Sequence, residues 1–212
     1  LKAEYYGYHT DIWSPSVSGD TIKIQIFADE SISDYGFYID KILNGTSSTI
    51  YDWSGCGRVI NGTDILKEDE DPYDDHGHGT HVAGIVGADG SIKGVAPESN
   101  IIAIKVIGRG GSASTSDILD AIEWCTDNSE EYNISAISMS LGTDCDADPS
   151  SCYSSYCDGD NAGYAADINA AAAKNFSVLI ATGNDGNYSL IATPSCIQNA
   201  TPVASSVKAD DA

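Results

Sequence analysis

Three of the four histidines in this sequence lie within six positions, in the stretch DDHGHGTHVAGIVGA at residues 74–88. An imidazole has an ordinary pKa of about 6.5, so it can accept a hydroxyl proton at neutral pH and later return it to a leaving group. The residues after His78 are small, so a histidine at the start of a helix of Gly, Ala and Val stays accessible to a substrate. His78 is therefore a candidate general base. We expect His81 to be a packed, hydrogen-bonded structural histidine and His76 to be an incidental loop residue.

A second residue with chemical potential is Asn184, which ends an apolar run inside the sequence Gly-Asn-Asp-Gly. The flanking glycines permit a tight turn and leave the amide uncrowded. A side-chain amide in that position can donate a hydrogen bond to negative charge that develops on an oxygen during a reaction. The alternative is an ordinary turn asparagine.

The loop TDCDADPSSCYSSYCDGDNAG, at residues 143–163, collects carboxylates and cysteines. Calcium takes about six to eight oxygen ligands, so the clustered carboxylates predict a structural calcium site. A solvated acidic loop is the alternative, because the spacing does not match an EF-hand. The cysteines have no histidine nearby, which favours disulfides over a zinc site and leaves their pairing open. The candidate calcium ligands are Asp144, Asp146, Asp148, Asp158 and Asp160.

The elements that must position these residues are apolar runs that alternate with helical patterns. Parallel strands need crossover connections, so this alternation predicts an α/β fold with a doubly wound, mostly parallel sheet and helices on both faces. No repeat or linker divides the 212 residues, which predicts a single domain, incomplete at its C-terminal end. The predicted strands are residues 22–28, 100–108, 134–142 and 177–184. Three helices are predicted: one that begins at His81, one at residues 116–128 with a serine N-cap, and one at residues 162–175.

Functional sites in such sheets lie at the carboxyl ends of the strands. Those ends carry the unusual residues of this chain, because Asn184 closes the fourth predicted strand and small residues close the second and third. We expect these segments to share one edge of the sheet. They are Asp29, then Gly110, Gly111 and Ser112, then Ser140, Leu141 and Gly142.

Composition excludes some classes of partner. Ten basic residues against 32 acidic ones give a formal charge of −22, which should repel nucleic acid and anionic membranes. No apolar run reaches the about 18 residues that a membrane span requires. An even set of six cysteines indicates a secreted protein, and so do six N-x-S/T sequons that predict glycosylation. The sequon asparagines are Asn44, Asn61, Asn133, Asn175, Asn187 and Asn199.

Four blocks resemble the subtilisin-like serine peptidases and occur in that family's order. They are HGTHVAG from His78, KGVAPESNIIAIKVIG from Lys93, SMSLG from Ser138 and ATGNDG from Ala181. The resemblance implies an endopeptidase that forms an acyl-enzyme, with His78 as general base and Asn184 in the oxyanion hole. It also implies that Gly110–Ser112 and Ser140–Gly142 clamp a peptide or protein substrate as an added strand.

Two parts of that family's pattern differ in this sequence. The orienting aspartate falls on Asp29, in IFADESIS, one position late unless the strand carries a bulge, and Asp40 is its rival. No serine lies in a G-T-S-M context, so we expect the nucleophile to come from sequence beyond Ala212 or from a separate C-terminal chain. The alternative is a non-catalytic domain of this fold with a structural, assembly or peptide-binding role.

Overall fold

The computed structural model describes residues 58–186 and 189–205, which all belong to one compact unit of the chain. Asp29, Asp40 and the predicted strand 22–28 lie outside these residues. The predicted α/β fold with parallel strands is confirmed. None of the helices in the described part is long and apolar enough to cross a membrane.

In chain order the larger elements are β1 (Val59–Asp64), α1 (His78–Gly87), β2 (Ile101–Lys105), α2 (Thr115–Asp127), α3 (Ser129–Tyr132), β3 (Ala136–Met139), α4 (Ala162–Ala173) and β5 (Ser177–Ala181).

β1 and β2 form a parallel pair, with α1 in the connection between them. β1 was not predicted, because its sequence VINGTD is short and contains the turn-forming pair Asn-Gly. The register shifts between Asn61 and Thr63, at a bulge that contains Gly62. A Cβ on Gly62 would lie 2.5 Å from the Ala103 carbonyl oxygen, so the close approach of the two strands requires glycine there.

The larger sheet contains three parallel strands in the order β3-β5-β7, where β7 is Thr201–Val203. α4 lies against β5, and α2 lies against α4. The larger buried apolar cluster of the described residues is built around this layer, and Ile168 and Ile180 are fully buried. Apolar side chains on one stripe of each helix therefore fix the position of β5, which leads to Asn184.

A short antiparallel pair closes the acidic loop, between β4 (Cys152–Tyr153) and β6 (Ile191–Ala192). Disulfides join Cys145 to Cys152 and Cys157 to Cys196, which confirms the prediction that cysteines of this loop form disulfides. Cys125 is a buried thiol, and burial raises its pKa to about 11, so it is protonated and unreactive at neutral pH.

Two predicted helix starts were wrong, by one residue for α2 and by three for α1. α2 begins at Thr115, because Ser114 rather than Ser116 is its cap. The Ser114 hydroxyl accepts from the Asp117 amide at 3.1 Å, and the Asp117 carboxylate accepts from the Ser114 amide at 3.2 Å. α1 begins at His78 instead of His81, so His78 is the first helical residue.

Candidate active site

His78 is exposed at the first position of α1, and the preceding loop fixes that end of the helix. Asp74 accepts hydrogen bonds from the backbone amides of His76 at 3.0 Å, Gly77 at 2.8 Å and Thr80 at 2.7 Å. It also accepts from the Thr80 hydroxyl at 2.7 Å. The carboxylate thus accepts from backbone amides on both sides of His78, among them amides that the start of a helix leaves without a partner in the helix.

The charge of Asp74 is strongly favoured in the folded protein. Partial burial by itself would raise the pKa of this carboxyl, but the hydrogen bonds from Gly77, Thr80 and His76 outweigh burial and lower the pKa to about 2. Asp74 is therefore ionised at any pH at which His78 could act as a base. Its charge also lies at the amino end of α1, where the helix dipole favours an anion.

A second contact anchors the histidine loop to the sheet. Lys105, the last residue of β2, has a buried side chain whose Nζ donates to the Tyr73 carbonyl at 2.7 Å. The same Nζ forms a 2.6 Å ion pair with Asp75, which is about one-third exposed. A buried ammonium needs such partners to offset its loss of hydration. The carboxyl end of β2 is therefore tied directly to the residues ahead of His78.

The loop also brings one predicted substrate segment to the histidines. The rings of His76 and His78 meet edge to face, with their centroids 6.4 Å apart. A Cβ on Gly111 would lie 3.4 Å from His76 Nε2, so Gly110–Ser112 passes beside the His76 ring. His76 is half-buried and lies beside both His78 and Gly111, and that it is incidental to the chemistry stays a prediction. His81 is exposed, so the prediction that it is packed was wrong. Small residues all round a helix do not indicate its buried face.

Asn184 is exposed in the loop that follows β5. Gly183 before it has a φ of +112°, a backbone angle that favours glycine, and Gly186 is also left-handed at +62°. Ala192 of β6 donates to the carbonyl of Thr182 at 3.0 Å, where the loop leaves the sheet. The amide of Asn184 thus stands at the carboxyl edge of the parallel sheet, as the sequence predicted.

The second predicted substrate segment lies at this same edge. Met139 of β3 is in register with Ile180 of β5, so Ser140–Gly142 leaves the sheet beside the strand that leads to Asn184. Ser140 and Gly142 are exposed, whereas Leu141 is partly buried against the core. A cavity of about 300 Å³ adjoins the segment at Thr143, lined also by Thr115, Asp160, Asn161 and Tyr164. The structure therefore pairs Ser140–Gly142 with Asn184, and Gly110–Ser112 with the histidine loop.

Three of the five aspartates predicted to bind calcium accept hydrogen bonds within the protein. Asp144 accepts from the amides of Asp146 and Ala147, Asp148 accepts from Ser150 and Ser151, and Asp158 accepts from the amide of Gln198. In the described part of the chain, no three carboxylate, histidine or cysteine side chains form a group that could hold a metal ion. These residues thus do not fit a calcium ion as arranged. Calcium binding stays a prediction, which melting with and without chelator would test.

Sequence reasoning missed Asp74, Lys105 and Asp185 as residues that support the site. The N-cap residue is Gly77 and Asp74 accepts from an amide six positions on, so the usual N-cap pattern did not point to Asp74. Lys105 and Asp185 left no signal either, because their partners are 30 and 40 residues away in the sequence.

The chain resembles known proteins over most of its length. The model of the subtilase family matches residues 14–212. An alkaline proteinase of Hapsidospora chrysogena is 36% identical over 152 residues, which cover 70% of this chain and 33% of that protein. The serine protease AprX of Bacillus subtilis (strain 168) is 43% identical over 97 residues, 42% of this chain and 22% of that protein.

Solved structures agree with the sequence comparison. Sphericase superposes with a TM-score of 0.57 at 31% identity, over 70% of this chain and 46% of the sphericase chain. A cold-adapted subtilisin-like serine proteinase superposes with a TM-score of 0.51 at 27% identity. The chain thus spans less than half the length of these relatives. A family match over nearly the whole sequence, with His78 and Asn184 accessible at their expected positions, shows that this chain belongs to the subtilase family.

Proposed function

We propose that the protein carrying this chain is a secreted subtilisin-like serine endopeptidase. The observation that carries the proposal is the exposed ring of His78 at the capped start of α1. Membership of the subtilase family and the carboxamide of Asn184 at the carboxyl edge of the sheet support it. We also propose that the side chains of His78 and Asn184 face one common cleft that receives the substrate.

In the proposed reaction, His78 accepts the proton of a serine hydroxyl as the oxygen attacks the carbonyl carbon of a peptide bond. The serine comes from sequence beyond this chain or from a separate C-terminal chain. Asn184 donates to the oxyanion of the tetrahedral intermediate, and His78 then gives its proton to the leaving amine. Water hydrolyses the acyl-enzyme by the same two steps. Asp29 is the proposed partner of the His78 ring, and Asp40 is the alternative.

The substrate is a peptide or protein held in extended form. Gly110–Ser112 beside the histidine loop and Ser140–Gly142 beside Asn184 have small side chains, which leaves backbone donors and acceptors open to an added strand. The cavity at Thr143 would receive one substrate side chain. Its hydroxyl and amide groups, with the Asp160 carboxylate, favour a polar or basic side chain.

Covalent labelling tests the proposal. The full-length gene product is incubated with a fluorophosphonate probe, which reacts only with an activated serine, and the His78→Ala variant serves as control. Labelling of the wild type that the variant loses is the expected result. A folded full-length protein that never labels would favour the second candidate, a non-catalytic subtilase-fold domain with a structural, assembly or peptide-binding role.

Secretion with glycosylation is the second part of the proposal, and its support is the placement of the sequons. Asn133, Asn175 and Asn199 are exposed and stand just ahead of the parallel strands β3, β5 and β7. All three therefore lie at the amino edge of that sheet, opposite the edge that carries Asn184, so glycans there would leave the cleft open. Glycopeptide mapping of the protein from its native host should find these three sites occupied. Unmodified peptides at all three positions would refute it.

A further inference from the structure

Both carboxylate oxygens of Asp185, the residue after Asn184, lie close to other residues of the protein. Oδ1 accepts a hydrogen bond from the backbone amide of Cys145 at 3.1 Å, across 40 residues of sequence. Oδ2 faces the residue before Asn184, because a Cβ on Gly183 would lie 2.9 Å from it. The Asn184 loop is thus folded around this carboxylate, which joins it to the loop of Cys145.

The partner of Asp185 belongs to a turn that is closed covalently. The disulfide between Cys145 and Cys152 spans seven residues, and both cysteines are buried with Ala192 in a small cluster of their own. Cys152 pairs with Ala192 across the β4–β6 ladder, and Ala192 donates to Thr182 at the start of the Asn184 loop. The loop is therefore connected to the disulfide turn at both ends, through Thr182 and through Asp185.

The disulfide turn is itself firmly held. Thr143 donates from its amide to the Thr193 carbonyl at 2.9 Å, and the Thr193 hydroxyl donates to the Ser151 carbonyl at 2.9 Å. Within the turn, Asp144 accepts from two backbone amides at 2.9 and 3.0 Å. A turn with these contacts has few accessible conformations, so it can act as a fixed support.

From these contacts we propose that Asp185 is a positioning residue for Asn184, and that the turn closed by Cys145–Cys152 is its rigid support. The inference rests on the proposed function, since it assigns Asn184 the oxyanion. An oxyanion donor lowers the barrier only when it is already aimed at the site where charge develops. Releasing the loop should therefore reduce stabilisation of the transition state and leave substrate binding largely unchanged.

The test compares four variants of the full-length protein by kcat and KM on a peptide substrate. Asp185→Ala removes the acceptor, whereas Asp185→Asn keeps a side-chain oxygen for the Cys145 amide. Asp69→Ala is a matched control, because Asp69 is exposed and also accepts one backbone amide, from Asp71 at 3.0 Å. Losing an oxyanion donor costs about 100- to 1000-fold in kcat, and misplacing it should cost less, about 10- to 100-fold.

The expected result is a 10- to 100-fold lower kcat for Asp185→Ala with KM within about 3-fold of wild type. Asp185→Asn should restore most of the activity, and Asp69→Ala should keep it. The double variant Cys145→Ser with Cys152→Ser should lose kcat in the same way as Asp185→Ala. Unchanged kcat in Asp185→Ala, or an equal loss in Asp69→Ala, would overturn the proposal.

A second measurement needs no activity, so it separates this inference from the proposed function. Hydrogen exchange of the backbone amides at residues 183–186 is compared in the wild type and in Asp185→Ala. Faster exchange confined to this loop is expected, since the variant releases it from Cys145. Equal exchange in both proteins would refute the positioning role even if the wild type proves to be a peptidase. Faster exchange in a protein that never labels would refute the peptidase assignment alone.

Discussion

The surroundings of His78 and of Asn184 are built in different ways. His78 begins a helix in which only Gly87 is buried, and ionic hydrogen bonds of Asp74 and Lys105 fix the loop ahead of it. Asn184 follows a strand with two fully buried side chains, in a loop attached to a disulfide turn. Charge and backbone hydrogen bonds thus hold the first region, whereas apolar burial and a covalent bond hold the second.

The difference corresponds to the chemistry proposed for each group. A general base must accept and release a proton in each cycle, so its ring must remain accessible and only its helix needs to be fixed. A donor to an oxyanion forms only a hydrogen bond and neither makes nor breaks a covalent bond, so it contributes through its fixed position. Rigid support is therefore more valuable at Asn184 than at His78.

The largest effect should come from removing the base itself. In the full-length protein, His78→Ala should lower kcat by about a million-fold, the size known for subtilisin, a member of this family. Asn184→Ala should cost only about 100- to 1000-fold, because one donor of several is lost. Steady-state hydrolysis of a peptide substrate measures both values. Equal losses in the two variants would contradict the division of roles.

Shortening an apolar side chain should lower the free energy of unfolding more in the region of Asn184 than in the region of His78. Ile168→Ala in α4 removes a fully buried side chain beneath β5, and such changes cost about 2 to 5 kcal/mol in the free energy of unfolding. Ile85→Ala in α1 is the matched control, because that side chain is 56% exposed and should cost less than about 1 kcal/mol. Urea unfolding gives both numbers. A larger cost at Ile85 would show that α1 is buried by a surface outside the described residues.

Removing the helix cap should have a moderate effect. Asp74→Ala leaves the amides at the start of α1 without their acceptor and should cost about 1 kcal/mol of stability. That corresponds to a fall of about 2 to 4 °C in Tm for a chain of this size. The exposed Asp71 serves as control, since Asp71→Ala should stay within about 0.5 kcal/mol of wild type. Equal Tm values for both variants would contradict the capping role.

The smallest effect is the response of this cap to acid. Hydrogen bonds lower the pKa of Asp74 to about 2, below its ordinary 3.8. A depressed pKa contributes stability above the ordinary value, and that stability is lost as the pH falls from about 4 towards 2. The difference in Tm between wild type and Asp74→Ala should therefore narrow over this range. A difference that is constant from pH 5 to pH 2 would show that the charge of Asp74 contributes nothing.

The sequence predicted features that depend on neighbouring residues. Helical and strand periodicity placed α2, α4 and β5 close to their observed bounds, with errors at the ends where caps decide the boundary. The prediction failed at β1, whose Asn-Gly pair indicates a turn, and at His81, because a helix of small residues has no clear apolar face. For the acidic loop, the structure shows that Asp144, Asp148 and Asp158 accept hydrogen bonds from the protein, and calcium binding stays a prediction.

The sequence by itself determined the order of the longer elements after β1, which are α1, β2, α2, β3, α4 and β5. It also determined the identity of the two principal candidates, His78 and Asn184. Both are marked by their immediate neighbours, small residues after one and glycines around the other. Only the tertiary structure decided what holds them, through Lys105 with Asp75 and Asp185 with Cys145. Lys105 ends β2, whereas Asp185 and Cys145 follow the neighbouring strands β5 and β3, and contacts that close loops of 30 to 40 residues leave no periodic signal in the sequence.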